Sequence, residues 1–301
     1  MKNFTLIFIL LTAFQASAQI SAVIKDSETR EAIPFVNILF ENEWVGVSAD
    51  QNGKFRIATP DEPKIMVFSA VGYESRKISS DAMPAVVLMK PAIIELREAI
   101  VSGRKKRTKR KYIPFFEKDT KLGYNVCDGF PWMTARFFPY SDAYNRTPFI
   151  DGLEVFAKTN LDSAKFNIRL CLPDKNGKPG KYMTDRGIIA QAIKGQAIVR
   201  IDLSDEYLVI PEEGFFIILE WLIIEENKKF YSTKYEGENV RTDRPIFEPI
   251  FGAVPTDSNQ LIWTSVGGGW RKPEARSQPA TKNKEATDQY LAPAVNLLLS
   301  N

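Results

Sequence analysis

Short runs of alternating apolar and polar residues, separated by turn-forming residues, make up most of the chain. Between residues 19 and 90 this pattern predicts seven strands, at Ile20–Lys25, Ile33–Phe40, Trp44–Ala49, Lys54–Ala58, Ile65–Ala70, Glu74–Ile78 and Ala85–Met89. Asn52-Gly53 supplies the positive φ of a tight turn between two of them. Seven short strands in so little chain predict a small antiparallel sandwich.

The strand pattern resumes after residue 121 with longer runs and continues to residue 301. Phe166, Ile168 and Leu170 alternate with polar residues, as expected for a strand with one buried face. The predicted strands of this second domain are Met133–Phe138, Phe149–Thr159, Ala164–Pro173, Gln196–Asp202, Gly214–Ile224, Ile246–Phe251, Leu261–Val266 and a closing strand at Tyr290–Leu299. Both halves are therefore predicted to be all-β.

The first 18 residues have the organisation of a secretory signal peptide. Lys2 precedes an apolar stretch from Phe4 to Phe14, and Ala16-Ser17-Ala18 forms a small-residue cleavage site. We therefore expect export, with the mature chain starting at Gln19, to the periplasm, the outer membrane or the cell exterior. The longest later apolar run, Gly214–Ile224, contains Glu220 and is too short to span a bilayer, so the mature chain is expected to have no transmembrane span.

The N-terminal strands carry a dense sequence motif. It comprises Ala22 to Asp26, Glu31 to Ile38, Gly46 to Ile57 and Phe68 to Tyr73, with Asp50, Gly53, Gly72 and Tyr73 among its characteristic residues. Residues 19–92 thereby resemble the carboxypeptidase-regulatory-like domain, with Ala22 where glycine is usual. The resemblance implies a seven-stranded transthyretin-like sandwich, a module common in secreted and outer-membrane proteins of Bacteroidetes-type bacteria, TonB-dependent transporters among them. Residues 121–301 resemble a larger jelly-roll-like β-sandwich of unassigned function that accompanies such modules.

A basic segment separates the two predicted domains. The chain has 40 Lys and Arg against 37 Asp and Glu, and seven of the basic residues lie within eight positions, so the remainder is mildly acidic. These seven are Arg104, Lys105, Lys106, Arg107, Lys109, Arg110 and Lys111. Dense like charge predicts a linker over residues 93–120, either a solvated spacer or a contact with an anionic surface. Behind a signal peptide, a nucleic-acid partner is not expected.

The absence of histidine limits the chemistry of the chain. It excludes Ser-His-Asp and Cys-His catalysis and the usual zinc site of a peptidase. Glu220 and Glu226 remain as a carboxylate pair for glycan hydrolysis, an alternative that we rank last. Asp174 and Asn176 before Gly177 are better explained as an Asx turn than as calcium ligands. We expect no metal, no cofactor and no enzymatic activity.

Aromatic residues near strand ends provide the candidate binding residues. Trp132, Trp263, Trp270 and Tyr140 could stack on sugar rings if their faces are exposed. Cys127 and Cys171 are the only cysteines, and an oxidising compartment would allow a disulfide between them, although buried free thiols are the alternative.

Together these features predict a non-enzymatic, exported cell-envelope protein that mediates interaction or assembly through β-sandwich modules. The partners expected are envelope proteins or glycans, without further identification from the sequence. A carbohydrate-binding protein of the cell surface is the alternative.

Overall fold

The computed structural model describes residues 18–92, 108–235, 238–241, 245–278 and 287–301. The predicted fold class is confirmed: the chain is all-β, with a seven-stranded sandwich followed by a larger one. The N-terminal strands are β1 (Gln19–Asp26), β2 (Asn37–Phe40), β3 (Gly46–Ser48), β4 (Lys54–Ala58), β5 (Ile65–Ser69), β6 (Arg76–Ser79) and β7 (Val86–Met89), with a 3₁₀ turn at Ser80–Ala82.

Two sheets with strand orders β4-β1-β7 and β3-β2-β5-β6 form the N-terminal sandwich. Strand β1 alternates strictly in its first half, so Ile20, Ala22 and Ile24 point into the core. They meet Ile38, Phe68 and other apolar residues of the facing sheet. The seven strands predicted from the sequence are thus present, with Ile33–Phe40 shortened to its second half, Asn37–Phe40, and Trp44–Ala49 shortened to Gly46–Ser48.

The polar motif residues hold the turns of this sandwich. The Asp26 carboxylate accepts hydrogen bonds from the amides of Glu28 (2.7 Å) and Thr29 (3.0 Å) and from the Tyr73 hydroxyl (3.0 Å). Burial and the Asp26 carboxylate raise the pKa of Tyr73 to about 12. Gly53 has a φ of 71°, and a Cβ there would lie 2.6 Å from the carbonyl oxygen of Ile24. The motif residues therefore determine the geometry of the turns, which the alternation of apolar and polar residues does not specify.

The C-terminal sandwich contains two large sheets. Its strands are β8 (Arg110–Ile113), β9 (Gly123–Cys127), β10 (Trp132–Phe138), β11 (Phe149–Lys158), β12 (Ser163–Pro173), β13 (Pro179–Tyr182), β14 (Ile188–Ile193), β15 (Ile198–Asp202), β16 (Phe215–Trp221), β17 (Lys228–Lys229), β18 (Ser232–Tyr235), β19 (Glu238–Arg241), β20 (Ile246–Thr256), β21 (Ile262–Val266), β22 (Gly269–Arg271), β23 (Arg276–Gln278), β24 (Thr287–Pro293) and β25 (Val295–Ser300). Two 3₁₀ turns lie at Asp142–Tyr144 and Glu225–Asn227.

The first large sheet has the order β13-β12-β16-β10-β21-β22, with β14 beside β12. The second has the order β23-β24-β20-β11-β25-β8, with β15 beside β11 and with β9 and β17 beside β20. The main core lies between them and includes Phe166, Trp221, Phe251 and Leu297. The predicted closing strand at Tyr290–Leu299 is two strands, because the chain shifts at Ala294, whose amide donates to the Gly252 carbonyl.

The linker predicted over residues 93–120 ends earlier than expected. Residues 93–107, including Arg104 to Arg107, lie outside the described residues. From residue 108 onward the chain belongs to the second large sheet, where Arg110–Ile113 pairs antiparallel with β25. The Asn296 side chain then accepts hydrogen bonds from the amides of Phe115 (2.7 Å) and Phe116 (3.1 Å). Basic residues suit this position because charged side chains protect an edge strand from further pairing.

Residues 1–17 of the predicted signal peptide also lie outside the described residues. Among the residues that are described, no helix has both the length and the apolarity needed to cross a bilayer.

The disulfide considered for Cys127 and Cys171 is not formed. Both thiols are free and buried, and burial raises the pKa of each to about 12. Cys127 lies in the core between the two large sheets. Cys171 points to the outer face of the first large sheet, where it packs with Ala135, Phe216 and Ile218. Because the two side chains belong to separate clusters, they act as small apolar core residues.

The two sandwiches pack directly against each other. The Ser48 amide donates to the Ile223 carbonyl (3.1 Å), and the Ile223 amide donates to the Ser48 hydroxyl (3.0 Å). Gly46 and Gly72 also lie at this junction, where a Cβ would be 2.6 Å from Cγ of Pro131 and 2.0 Å from the Asp185 carbonyl oxygen, respectively. Contacts this close leave no room for a side chain.

We expect Gly72→Ala to destabilise the protein by more than about 3 kcal/mol, since it combines a backbone clash at Asp185 with a positive φ. Gly177→Ala is the matched control, because Gly177 also has a positive φ (73°) but a Cβ there meets no atom within 4 Å. The control should cost only about 1 kcal/mol. Urea unfolding of both variants measures the difference, and equal losses would contradict the close approach at Asp185.

Candidate binding surface at the junction of the sandwiches

Two of the predicted aromatic binding residues, Trp132 and Tyr140, pack against the main core. The Trp132 ring stacks on Trp221 at 4.6 Å between ring centroids and an interplanar angle of 14°. Tyr140 packs against the same core and donates its hydroxyl to Asn145. Both residues are partly buried against this core, and Trp221 covers one face of the Trp132 ring.

The other two predicted residues, Trp263 and Trp270, share the outer face of the first large sheet. Both pack on the cluster that contains Phe216 and Ile218. The Lys272 ammonium lies 4.2 Å from the Trp263 ring centroid and donates to the carbonyls of Asn259 (3.0 Å) and Ile262 (3.3 Å). The Lys272 ammonium therefore covers one face of Trp263. Within the part of the chain described, no cation–π contact is present on Trp270.

Trp44 is the large aromatic side chain most open to solvent among the described residues, with 56% of its surface exposed. It lies in the β2–β3 hairpin and reaches the C-terminal sandwich, where its ring centroid is 5.7 Å from that of Phe130. The Arg271 guanidinium carbon lies 5.6 Å from the Trp44 ring centroid. We call Trp44, Phe130 and Arg271 the junction surface, since residues from both sandwiches form it.

The geometry of two hairpins creates the junction surface. Gly267 and Gly268 both have positive φ and turn the β21–β22 hairpin towards the N-terminal sandwich. A Cβ on Gly267 would lie 3.1 Å from the Glu43 carbonyl oxygen and 3.4 Å from Cδ1 of Trp44. The alternation pattern alone places Trp44 inside a strand. In the sequence, only its position directly after the polar residues Glu41 to Glu43, which is typical of a hairpin tip, indicates that the Trp44 side chain is exposed.

Arg169 and Glu220 form a buried ion pair on the outer face of the first large sheet. Arg169 donates from Nε to the Glu220 carboxylate (2.8 Å) and from Nη1 to the Tyr182 hydroxyl (2.7 Å), and Asn167 donates to the same carboxylate (2.7 Å). The side chains of Arg169 and Glu220 are 2% and 3% exposed. Burial lowers the pKa of Arg169, but the charge of Glu220 and the Tyr182 hydroxyl outweigh it and raise the pKa overall.

The two carboxylates of the hydrolase hypothesis do not face a common site. Glu220 is committed to the ion pair with Arg169 below the protein surface. Glu226 lies on the exposed 3₁₀ turn Glu225–Asn227 and lines a cleft of about 830 Å³ between the sandwiches. The pair is therefore unable to flank one scissile bond as a glycosidase requires.

The loop considered for calcium is an Asx turn. The Asp174 carboxylate accepts hydrogen bonds from the amides of Lys178 (2.9 Å) and Asn176 (2.7 Å), and these bonds lower the pKa of Asp174. Among the described residues, no group of three His, Cys, Asp or Glu side chains is placed to hold a metal ion.

The described part of the basic segment lies along the edge of the second large sheet. Lys109 and Arg110 are exposed. Lys111 is half-buried and donates its ammonium to the Ala143 carbonyl (2.9 Å), 5.3 Å from the Tyr144 ring centroid. Arg110 and Lys111 therefore lie on strand β8, and Lys109 immediately precedes it.

We expect Arg169→Met and Glu220→Leu each to destabilise the protein by about 3–5 kcal/mol, because each leaves an unpaired buried charge. The double variant should recover most of that loss, since it removes both charges. Urea unfolding of the four proteins forms a double-mutant cycle. Additive losses would contradict direct pairing.

Comparison with known proteins agrees with the fold of the N-terminal sandwich. Residues 20–101 match the family model of the CarboxypepD_reg-like domain. A TonB-dependent receptor P3 of Formosa agariphila is 28% identical over 107 residues, which cover 34% of this chain and 11% of the receptor. No solved structure matches the chain. The N-terminal sandwich of this protein is a carboxypeptidase-regulatory-like domain.

Proposed function

We propose that the protein is a non-enzymatic component of the cell envelope that binds a partner protein through the junction surface. The carboxypeptidase-regulatory-like domain and the similarity to a TonB-dependent receptor support an envelope location. The absence of histidine and the burial of Glu220 support a role without catalysis.

The observation that carries the proposal is the exposed Trp44 with Arg271 beside it. Arg271 is exposed, and among the described residues it forms no ion pair. Tryptophan and arginine are among the residue types most enriched at binding hot spots, because they combine a large apolar area with directed hydrogen bonds. A pair of this kind, formed where the two sandwiches meet, is suited to anchoring a partner.

We expect a photo-crosslinker introduced as Trp44→p-benzoylphenylalanine to yield an adduct with an envelope protein in intact cells. Ile189→p-benzoylphenylalanine is the matched control, since Ile189 is an exposed apolar residue (41%) on a different edge. Adding Arg271→Ala should reduce the adduct at position 44 about fivefold or more, as for loss of a hot-spot contact. Equal adducts at positions 44 and 189 would contradict the proposal.

Carbohydrate binding is the second candidate function, favoured by the common face of Trp263 and Trp270. On this hypothesis Trp270→Ala should lower binding on a glycan array about tenfold, because stacking on a sugar ring depends on an open aromatic face. Trp263→Ala should have a smaller effect, since Lys272 covers one face of that ring. An array without signal for the wild-type protein would reject this candidate.

A further inference from the structure

Strand β14 lies at an edge of the first large sheet and has one free side. It pairs antiparallel with β12, with Ile188 opposite Ile168 and Ile193 opposite Ser163. Among the strands that the structure describes, none pairs with the other side of β14. The backbone groups on that side can therefore accept another strand.

The hydrogen bonds around β14 show which of its residues face the free side. The Lys194 amide donates to the Asp162 carbonyl (3.1 Å), so every second residue back along β14 from Lys194 is hydrogen-bonded to β12. Gln191 belongs to the alternate set. Its neighbour on β12, Lys165, uses its backbone N–H and C=O for the Asn227 side chain instead (2.9 and 2.7 Å). The residues whose backbone groups point to the free side are therefore Ile189, Gln191 and Ile193.

Strand β14 lacks the features that protect other edge strands of the protein. Its sequence, IIAQAI, contains no charged residue and no proline. Strands β4, β6, β8, β13 and β15 each carry charged residues, which oppose pairing with a further strand. Strand β7 is also uncharged, but the Arg76 guanidinium donates to its Leu88 carbonyl. The edge of β14 is thus open to pairing.

The outer face of β14 is apolar, and its sequence is a palindrome. Ile189 and Ile193 are 41% and 39% exposed, and the exposed Gln191 lies between them. Ala190 and Ala192 point into the main core. These five residues read Ile-Ala-Gln-Ala-Ile in both directions. An antiparallel strand of the same sequence therefore places isoleucine opposite isoleucine and alanine opposite alanine.

We propose that two copies of the chain form a two-fold symmetric dimer by antiparallel pairing of their β14 strands. With Gln191 on the two-fold axis, Ile189 of each copy lies opposite Ile193 of the other. The backbone N–H and C=O groups of Gln191 then bond reciprocally, and the Ile193 N–H donates to the Ile189 carbonyl of the other copy. The register that matches the side chains is thus also the one that matches the free backbone groups.

The charges next to β14 are compatible with self-pairing. In this register Lys194 of one copy lies opposite Ile188 of the other, so no two like charges face each other. The Ile189–Ile193 pairs remove apolar surface from water on both sides of the axis. The Ile193 carbonyl accepts from the Gln196 amide (3.0 Å), which ends the paired segment there. One strand pair is a small interface, below about 1,200 Å², so we expect a roughly micromolar or weaker dissociation constant.

The dimer goes beyond the proposed function and is tested separately from it. The junction surface around Trp44 contributes no residue to the β14 pair. An adduct that Ile189→p-benzoylphenylalanine forms with a second copy has the mass of two chains, which distinguishes it from an adduct with another envelope protein.

Sedimentation velocity of the purified full chain over a range of concentrations tests the dimer. The wild type should show a monomer–dimer equilibrium. Gln191→Lys and Gln191→Glu should each raise the dissociation constant about tenfold or more, because like charges then meet on the axis. An equimolar mixture of these two variants should dimerise again, since opposite charges then face each other. Gln260→Lys adds the same charge to an exposed loop and is the matched control, which should dimerise as the wild type does.

Cysteine cross-linking tests the register. The native Cys127 and Cys171 are buried, so introduced surface thiols react selectively. The oxidant is diamide, which accepts the two electrons and two protons of the thiols. Gln191→Cys should form a disulfide-linked dimer by itself, because Cα atoms in a hydrogen-bonded antiparallel pair lie about 5.5 Å apart. Ile189→Cys and Ile193→Cys should cross-link when mixed with each other and not when oxidised separately.

A wild-type chain that stays monomeric at every concentration at which it is soluble would overturn the proposal. A dimer that Gln191→Lys leaves intact, or a mixture of the two charged variants that remains monomeric although both unfold thermally as the wild type does, would do the same. Should a charged variant fold poorly, the cysteine variants decide, and cross-linking without preference among the three positions counts against the register. An Ile189 adduct with a different protein and none with a second copy would show that the edge pairs with another partner.

Discussion

The reciprocal hydrogen bonds between Ser48 and Ile223 fix the two sandwiches to each other, and the candidate surface depends on that contact. They join the hairpin-forming strand β3 to the chain just beyond β16, a central strand of the first large sheet. The close approaches at Gly46 and Gly72 make the same junction tight. Trp44 and Arg271 come from different sandwiches, so their proximity exists only while this junction holds.

The charges inside the C-terminal sandwich are stabilised in two ways. Arg169 is paired with Glu220 and surrounded by further donors and acceptors, which makes it a structural ion pair. Arg136 lies against the rings of Phe115 and Phe138 and donates one hydrogen bond to the Val295 carbonyl.

The period-two pattern identified the seven N-terminal strands and most of the long C-terminal ones, because burial of one face directly sets the alternation. It did not identify β8, since Arg110–Ile113 is an edge strand whose basic residues resemble those of a linker. It also joined β24 and β25 into one strand. Edge strands and strand breaks depend on contacts with residues that are distant in sequence.

The sequence by itself determined the all-β class, the turn chemistry of the carboxypeptidase-regulatory-like motif and the absence of imidazole chemistry. Each of these follows from local pattern or composition. Only the tertiary structure decided that Cys127 and Cys171 lie in separate clusters, that Trp132 stacks on Trp221 and that Trp44 meets Arg271. Those outcomes depend on which strands become neighbours and which face each side chain takes, and long-range pairing, rather than local preference, fixes both.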